Sequence, residues 1–67
     1  MPLLHVHLLE GRPAAVKAQL VGELTQVVER VLGASPEGIS VLVSEYAEGQ
    51  WNVGGEPLRL AKATRDE

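Results

Sequence analysis

Met1-Pro2-Leu3-Leu4-His5-Val6-His7-Leu8-Leu9-Glu10-Gly11-Arg12 is the stretch on which the reading of this 67-residue chain turns. From Pro2 to Leu9 it is mostly branched aliphatic, with only His5 and His7 interleaved. Apolar character on both faces is the pattern of a parallel strand covered on both sides. Glu10-Gly11-Arg12-Pro13 ends the strand. Gly11 can take a positive φ for a sharp turn. Pro13 suits the first position of a helix, where its missing N–H costs nothing.

Beyond this strand, Val16, Leu20, Leu24, Val27, Val28, Val31 and Leu32 recur at three- and four-residue spacing, and Val21 widens the stripe. The spacing predicts one amphipathic helix from Pro13 to about Leu32, with Lys17, Glu23, Glu29 and Arg30 largely on its solvated face. Gly33 is a natural residue to end it, and Pro36 follows where a helix cannot continue, so Ala34 to Gly38 reads as a loop. Ile39 to Tyr46 alternates. Ile39, Val41 and Val43 point one way, and Ser40, Leu42, Ser44 and Tyr46 the other. Strand, long helix and strand make a β-α-β unit with a right-handed crossover and parallel strands. After a turn at Ala47 to Gln50, Trp51-Asn52-Val53 with Gly54-Gly55 reads as a short C-terminal hairpin arm. Pro57, Leu58 and Leu60 suit packing on a neighbour, and residues 62–67 read as a frayed tail. The fold class is α/β (α+β), in a single domain spanning residues 1–67.

So short a chain buries only about 60% of the surface that its unfolded form exposes, and it ordinarily needs a disulfide, a metal or partners. There is no cysteine, which removes disulfides and thiolate zinc sites. His5 and His7 lie on one strand face, but two ligands do not make a metal site, so they read as buried, neutral, hydrogen-bonded histidines. Self-association remains as the stabiliser. With 45% hydrophobic residues, one helix covers one face of a two-stranded sheet and leaves an aliphatic face that needs a cover. The net charge of −3 and the scatter of six Lys and Arg residues argue against nucleic acid as a partner. No apolar run reaches the roughly 20 residues of a membrane span. No signal-peptide pattern opens the chain, and the expectation is a cytoplasmic protein.

Met1-Pro2 carries a chemical possibility of its own. Methionine aminopeptidases remove Met before a small residue, and proline qualifies. The product would be a secondary amine fixed in direction by its ring. An α-amino group ordinarily titrates at about 7.7–8. A proline amine lies higher in water, and an apolar pocket with a nearby cation lowers it toward neutrality, where it can serve as a general base. Arg12 sits at a helix start, where the dipole does not favour a cation. A guanidinium there can hold a carboxylate through two parallel hydrogen bonds. Trp51, the single tryptophan, suits a pocket wall or an interface anchor. Glu10 and Glu45 end their strands, where carboxylates are usually solvated or paired.

Taken together, Pro2, the run Leu8-Leu9-Glu10-Gly11-Arg12, the long helix, Ser44-Glu45 closing the second strand, and an aromatic just before Val53-Gly54-Gly55 resemble the 4-oxalocrotonate tautomerase family along nearly the whole chain. The resemblance implies a β-α-β subunit whose dimer forms a four-stranded sheet carrying two helices. Three such dimers would make a hexamer, with the active site at a subunit boundary. It implies a cofactor-free enol–keto tautomerase acting on small 2-hydroxy-dienoate or enolpyruvate-type acids, and no metal. On this resemblance Pro2 is the acid/base catalyst, Arg12 binds the substrate carboxylate, and Trp51 is the aromatic wall of the pocket. One position departs. The family's second arginine, early in strand two, is replaced by Ser40, which can donate a single hydrogen bond to a substrate oxygen. Two alternatives stand beside this reading, the second of them opened by that departure. One is a hydratase- or dehalogenase-type member, which needs a carboxylate facing Pro2. The other is a weakly active subunit in a hetero-oligomer with a chain that carries the arginine.

Overall fold

The computed structural model describes residues 1–58. The chain runs β1 (Leu3–Leu9), α1 (Ala14–Leu32), β2 (Ser40–Tyr46), β3 (Asn52–Val53) and β4 (Glu56–Pro57), a β-α-β unit followed by a hairpin. β1 and β2 pair in parallel, from Leu3 opposite Ser40 to Leu9 opposite Tyr46. The ladder extends past both ends: Ser40 N–H donates to the Pro2 carbonyl at 3.0 Å, and Glu10 N–H to the Tyr46 carbonyl at 2.9 Å.

The helix lies over the face formed by Leu4, Val6, Leu8, Val41 and Val43, all half-buried. Its sheet-ward residues are Lys17, Leu20, Val21, Leu24, Thr25 and Val28, again at three- and four-residue spacing. Lys17 is therefore not on the solvated face expected for it. Its Nζ reaches both carboxylate oxygens of Glu45 at 3.0 and 2.9 Å, tying the first turn of the helix to the end of β2. Val16, Val27, Val31 and Leu32, which the periodicity puts on the same stripe, stay exposed. The apolar stripe is wider than one small sheet can cover.

The termini of α1 follow local chemistry. Pro13 is the N-cap, with φ −63° and ψ 152°, one residue before the helical position expected for it. Its carbonyl accepts from the Val16 and Lys17 amides. Gly33 closes the helix in the left-handed region at φ 71°, donating to the Glu29 carbonyl at 3.0 Å. A single 3₁₀ turn at Pro36–Gly38 follows and is closed by the Ile39 amide, so the second strand begins at Ser40 rather than Ile39. The hairpin pairs Asn52 with Pro57 and Val53 with Glu56. Gly54 and Gly55 both have positive φ, 63° and 84°, the requirement of a tight two-residue hairpin turn.

The second sheet face is bare, so β1 is covered on one side rather than two. This face is also less aliphatic than the sequence alone suggests. Leu3, at 63% exposure, and Leu42, at 49%, share it with His5, His7, Leu9, Ser40, Ser44 and Tyr46, and of these Leu9, opposite Tyr46, is the one that is buried. His5 and His7 are exposed rather than buried, yet both are hydrogen-bonded. Among the described residues only Leu9 is buried, at 7%. The tail at 62–67 and the packing expected of Leu60 lie outside the described residues.

Candidate active site

The four candidate residues occupy opposite ends of the β1–β2 ladder. Pro2 precedes β1, and Ser40 begins β2 beside it, joined through the Pro2 carbonyl. Pro2 is half-buried and Met1 is 98% exposed, so the methionine side chain contributes no packing to the end of the strand. While Met1 is attached, the Pro2 nitrogen is a tertiary amide without a basic lone pair. At the far end, Arg12 follows β1 and Trp51 follows β2. A seven-residue strand rises about 3.3 Å per residue, so roughly 20 Å separates the pairs.

The Arg12 end is well built. Gly11, at φ 122°, turns the chain out of β1. The Arg12 guanidinium folds back and donates from Nη1 to the Leu9 carbonyl at 3.1 Å. Among the described residues Glu45 is paired with Lys17 rather than with Arg12. A guanidinium has five N–H donors in a planar fork. One is occupied by Leu9, which aims the group and leaves others for an anion.

Trp51 is held by the segment on either side of it. In the Glu48–Gln50 turn, Gln50 N–H donates to the Ala47 carbonyl and Ala47 N–H to Gln50 Oε1, both at 2.9 Å. Beyond the tryptophan, Leu58 N–H donates to the Trp51 carbonyl at 2.7 Å, and Asn52 Nδ2 to the Gly49 carbonyl at 3.3 Å. The indole helps line an open cleft of about 320 Å³, together with His7, Tyr46, Gln50 and Asn52. A smaller cleft of about 170 Å³, lined by Leu9, Glu10, Tyr46 and Glu48, adjoins it through Tyr46.

Tyr46 is the residue that the sequence reading does not single out. Its hydroxyl lies 2.7 Å from His7 Nδ1. Its ring stacks on His7, with centroids 5.7 Å apart, and meets Trp51 edge-on at 6.0 Å and 85°. The row continues across the open face through the His5–His7 ring contact at 4.1 Å and a 2.7 Å bond from His5 Nε2 to Ser44 Oγ. The parity of Ser44 and Tyr46 puts them on one face of β2. Only the strand register, which sets His7 opposite Ser44 and diagonal to Tyr46, reveals the contact. Among the described residues no three of His, Cys, Asp and Glu converge as metal ligands. Nor is any helix of the described residues long and apolar enough to cross a membrane.

The β-α-β chain thus carries an arginine and an aromatic cleft at one end of its ladder and a proline at the other. The family model of the tautomerase enzymes matches residues 2–61. A probable tautomerase of Ralstonia nicotianae is 44% identical over 62 residues, covering 92% of this chain and 89% of the relative. A 2-hydroxymuconate tautomerase of Pseudomonas putida is 36% identical over 56 residues, 84% of this chain and 89% of the relative. Among solved structures, a heterohexamer 4-oxalocrotonate tautomerase from Chloroflexus aurantiacus superposes with a TM-score of 0.80 at 28% identity, over 85% of this chain and 92% of that one. The chain belongs to the tautomerase family and is an enzyme of the isomerase class.

Proposed function

We propose that this chain is a cofactor-independent enol–keto tautomerase of small 2-hydroxy-dienoate or enolpyruvate-type acids, with the Pro2 amine, freed by removal of Met1, as its acid/base group. In the forward direction the amine takes the proton of the enol hydroxyl. The O–H electron pair becomes the carbonyl π bond, and the double bond shifts along the conjugated chain. The carbon at its far end takes a proton from the prolinium, which restores the free amine. Arg12 holds the carboxylate and draws electron density toward it. Trp51 excludes water, which strengthens both charge interactions. Ser40 donates one hydrogen bond to a substrate oxygen.

The observation that carries this reading is the separation of Pro2 and Ser40 from Arg12 and Trp51 along one ladder. A substrate a few ångströms long cannot touch both ends of one chain, so the site forms where the Pro2 end of one copy meets the Arg12 end of another. Self-association, as a homohexamer of single-domain cytoplasmic subunits, meets that need. It also covers the bare sheet face of a chain with almost no buried core. The test is ketonisation of phenylenolpyruvate and 2-hydroxymuconate by Met-processed protein beside Pro2→Ala. Equal rates for the two proteins would sink the proposal. A mass spectrum establishes whether Met1 is present.

Ser40 favours a second reading. Without a cation at that position, this chain is one subunit of a hetero-oligomer in which a similar chain supplies the arginine. The heterohexameric relative makes such an arrangement chemically reasonable for the fold. A homogeneous assembly of this chain alone with measurable turnover counts against it. The hydratase alternative needs a carboxylate near Pro2. Glu10 and Glu45 stand at the Arg12 end, the end proposed to meet Pro2 of another copy, and Glu45 is paired with Lys17, which leaves Glu10 as the carboxylate that this alternative would use.

A further inference from the structure

We propose that Tyr46 is a positioning residue that sets the orientation of Trp51, and through it the wall of the substrate pocket. The inference rests on the reading of Trp51 as that wall. The backbone on both sides of Trp51 is fixed by the Ala47–Gln50 pair of bonds and by the Leu58 amide, so the direction of the indole is set by what its ring meets. It meets the Tyr46 ring edge-on at 6.0 Å and 85°, a favoured geometry for aromatic pairs. Tyr46 is itself anchored twice. Its carbonyl accepts from Glu10 N–H at the end of the ladder, and its hydroxyl is bonded to His7 Nδ1 at 2.7 Å on the neighbouring strand. A phenol pinned at both ends holds its edge in one place, and the indole packs against it. Removing the hydroxyl bond frees the ring to tilt. Removing the ring frees the indole. Both residues line the same cleft, so either change reshapes the space that takes the apolar part of a substrate.

Because Trp51 is the single tryptophan, its fluorescence reads the contact without any turnover. Acrylamide quenching of Trp51 is to be compared in the wild type, Tyr46→Phe and Tyr46→Leu, each verified as assembled. In parallel, KM and kcat are measured with phenylenolpyruvate. The expected result is a quenching constant raised about twofold in Tyr46→Leu and by less in Tyr46→Phe, with KM up about threefold in Tyr46→Leu and kcat nearly unchanged. Unchanged quenching in either assembled variant overturns the proposal, since leucine removes the edge contact and phenylalanine the bond that aims it. A fall in kcat at constant KM also overturns it, marking Tyr46 as structural only. If Tyr46→Leu does not assemble, Tyr46→Phe decides alone. A wild-type protein that turns over no enol acid defeats the tautomerase reading, while the quenching series still decides whether Tyr46 holds Trp51.

Discussion

Arg12 is the residue of the candidate set whose side chain is aimed by a hydrogen bond. Its bond to the Leu9 carbonyl fixes the guanidinium, and Glu45 is paired with Lys17 rather than with it. Charge-assisted hydrogen bonds contribute about 1.5–3 kcal/mol each, so Arg12→Ala is expected to raise KM roughly 10- to 100-fold in steady-state kinetics. Arg12→Lys is expected to recover little, because an ammonium cannot present the planar fork. If Ser40 stands where the proposed site lacks a cation, Ser40→Arg is expected to raise kcat/KM on a dicarboxylate dienol more than on a monocarboxylate enol. No gain in an assembled protein means that the pocket is shaped by something else. For Pro2, the pH profile of kcat/KM is expected to rise with a limb near neutrality as the amine loses its proton. A flat profile from mildly acid to mildly alkaline pH excludes the amine as base. All four candidate residues were readable as chemistry in the sequence. Their separation into two pairs was not, because it depends on the length and register of a ladder that joins residues about forty positions apart.

At the scale of elements, the order β-α-β and the hairpin are legible because aliphatic periodicity and glycine position both derive from local backbone geometry. What local pattern does not supply is the partner. Lys17 looks like a solvated residue until β2 brings Glu45 within 2.9 Å. Tyr46 looks like an ordinary strand end until β1 brings His7 to its hydroxyl. Pro13 suits either the cap or the first helical position, so its displacement by one residue is within what its φ allows. Two glycines of α1 and its end separate backbone effects cleanly. Gly22 lies inside the helix with open space where a Cβ would go, whereas Gly33 holds a left-handed φ of 71°. Gly22→Ala is expected to stabilise by up to about 1 kcal/mol, and Gly33→Ala to destabilise by roughly 1–2 kcal/mol. Thermal melts at one fixed protein concentration check the opposite signs. The exposed Lys17–Glu45 pair is expected to matter little, with Lys17→Met changing stability by under about 1 kcal/mol.

For the whole molecule, a chain in which Leu9 alone of the described residues is buried has too little core to stand alone. Its melting temperature is expected to rise with protein concentration, as it must when folding and association are one process. Leu42→Asp, on the bare sheet face, is expected to lower both the assembled fraction in sedimentation and the melting temperature. A melt independent of concentration over a hundredfold dilution overturns the coupling of folding to association. The need for partners is legible in the sequence as excess aliphatic content, but the geometry of the partnership is not.

The division of Pro2 and Arg12 between the two ends of one ladder also has a genetic consequence. On the proposed roles, a chain lacking Pro2 and a chain lacking Arg12 are each expected to be impaired by themselves. Produced in the same cell, they form mixed assemblies in which some boundaries join a sound proline to a sound arginine. With equal amounts and random mixing, about a quarter of the sites regain both groups. Two defective alleles would therefore complement each other, while a doubly substituted chain would silence at most the two sites to which it contributes.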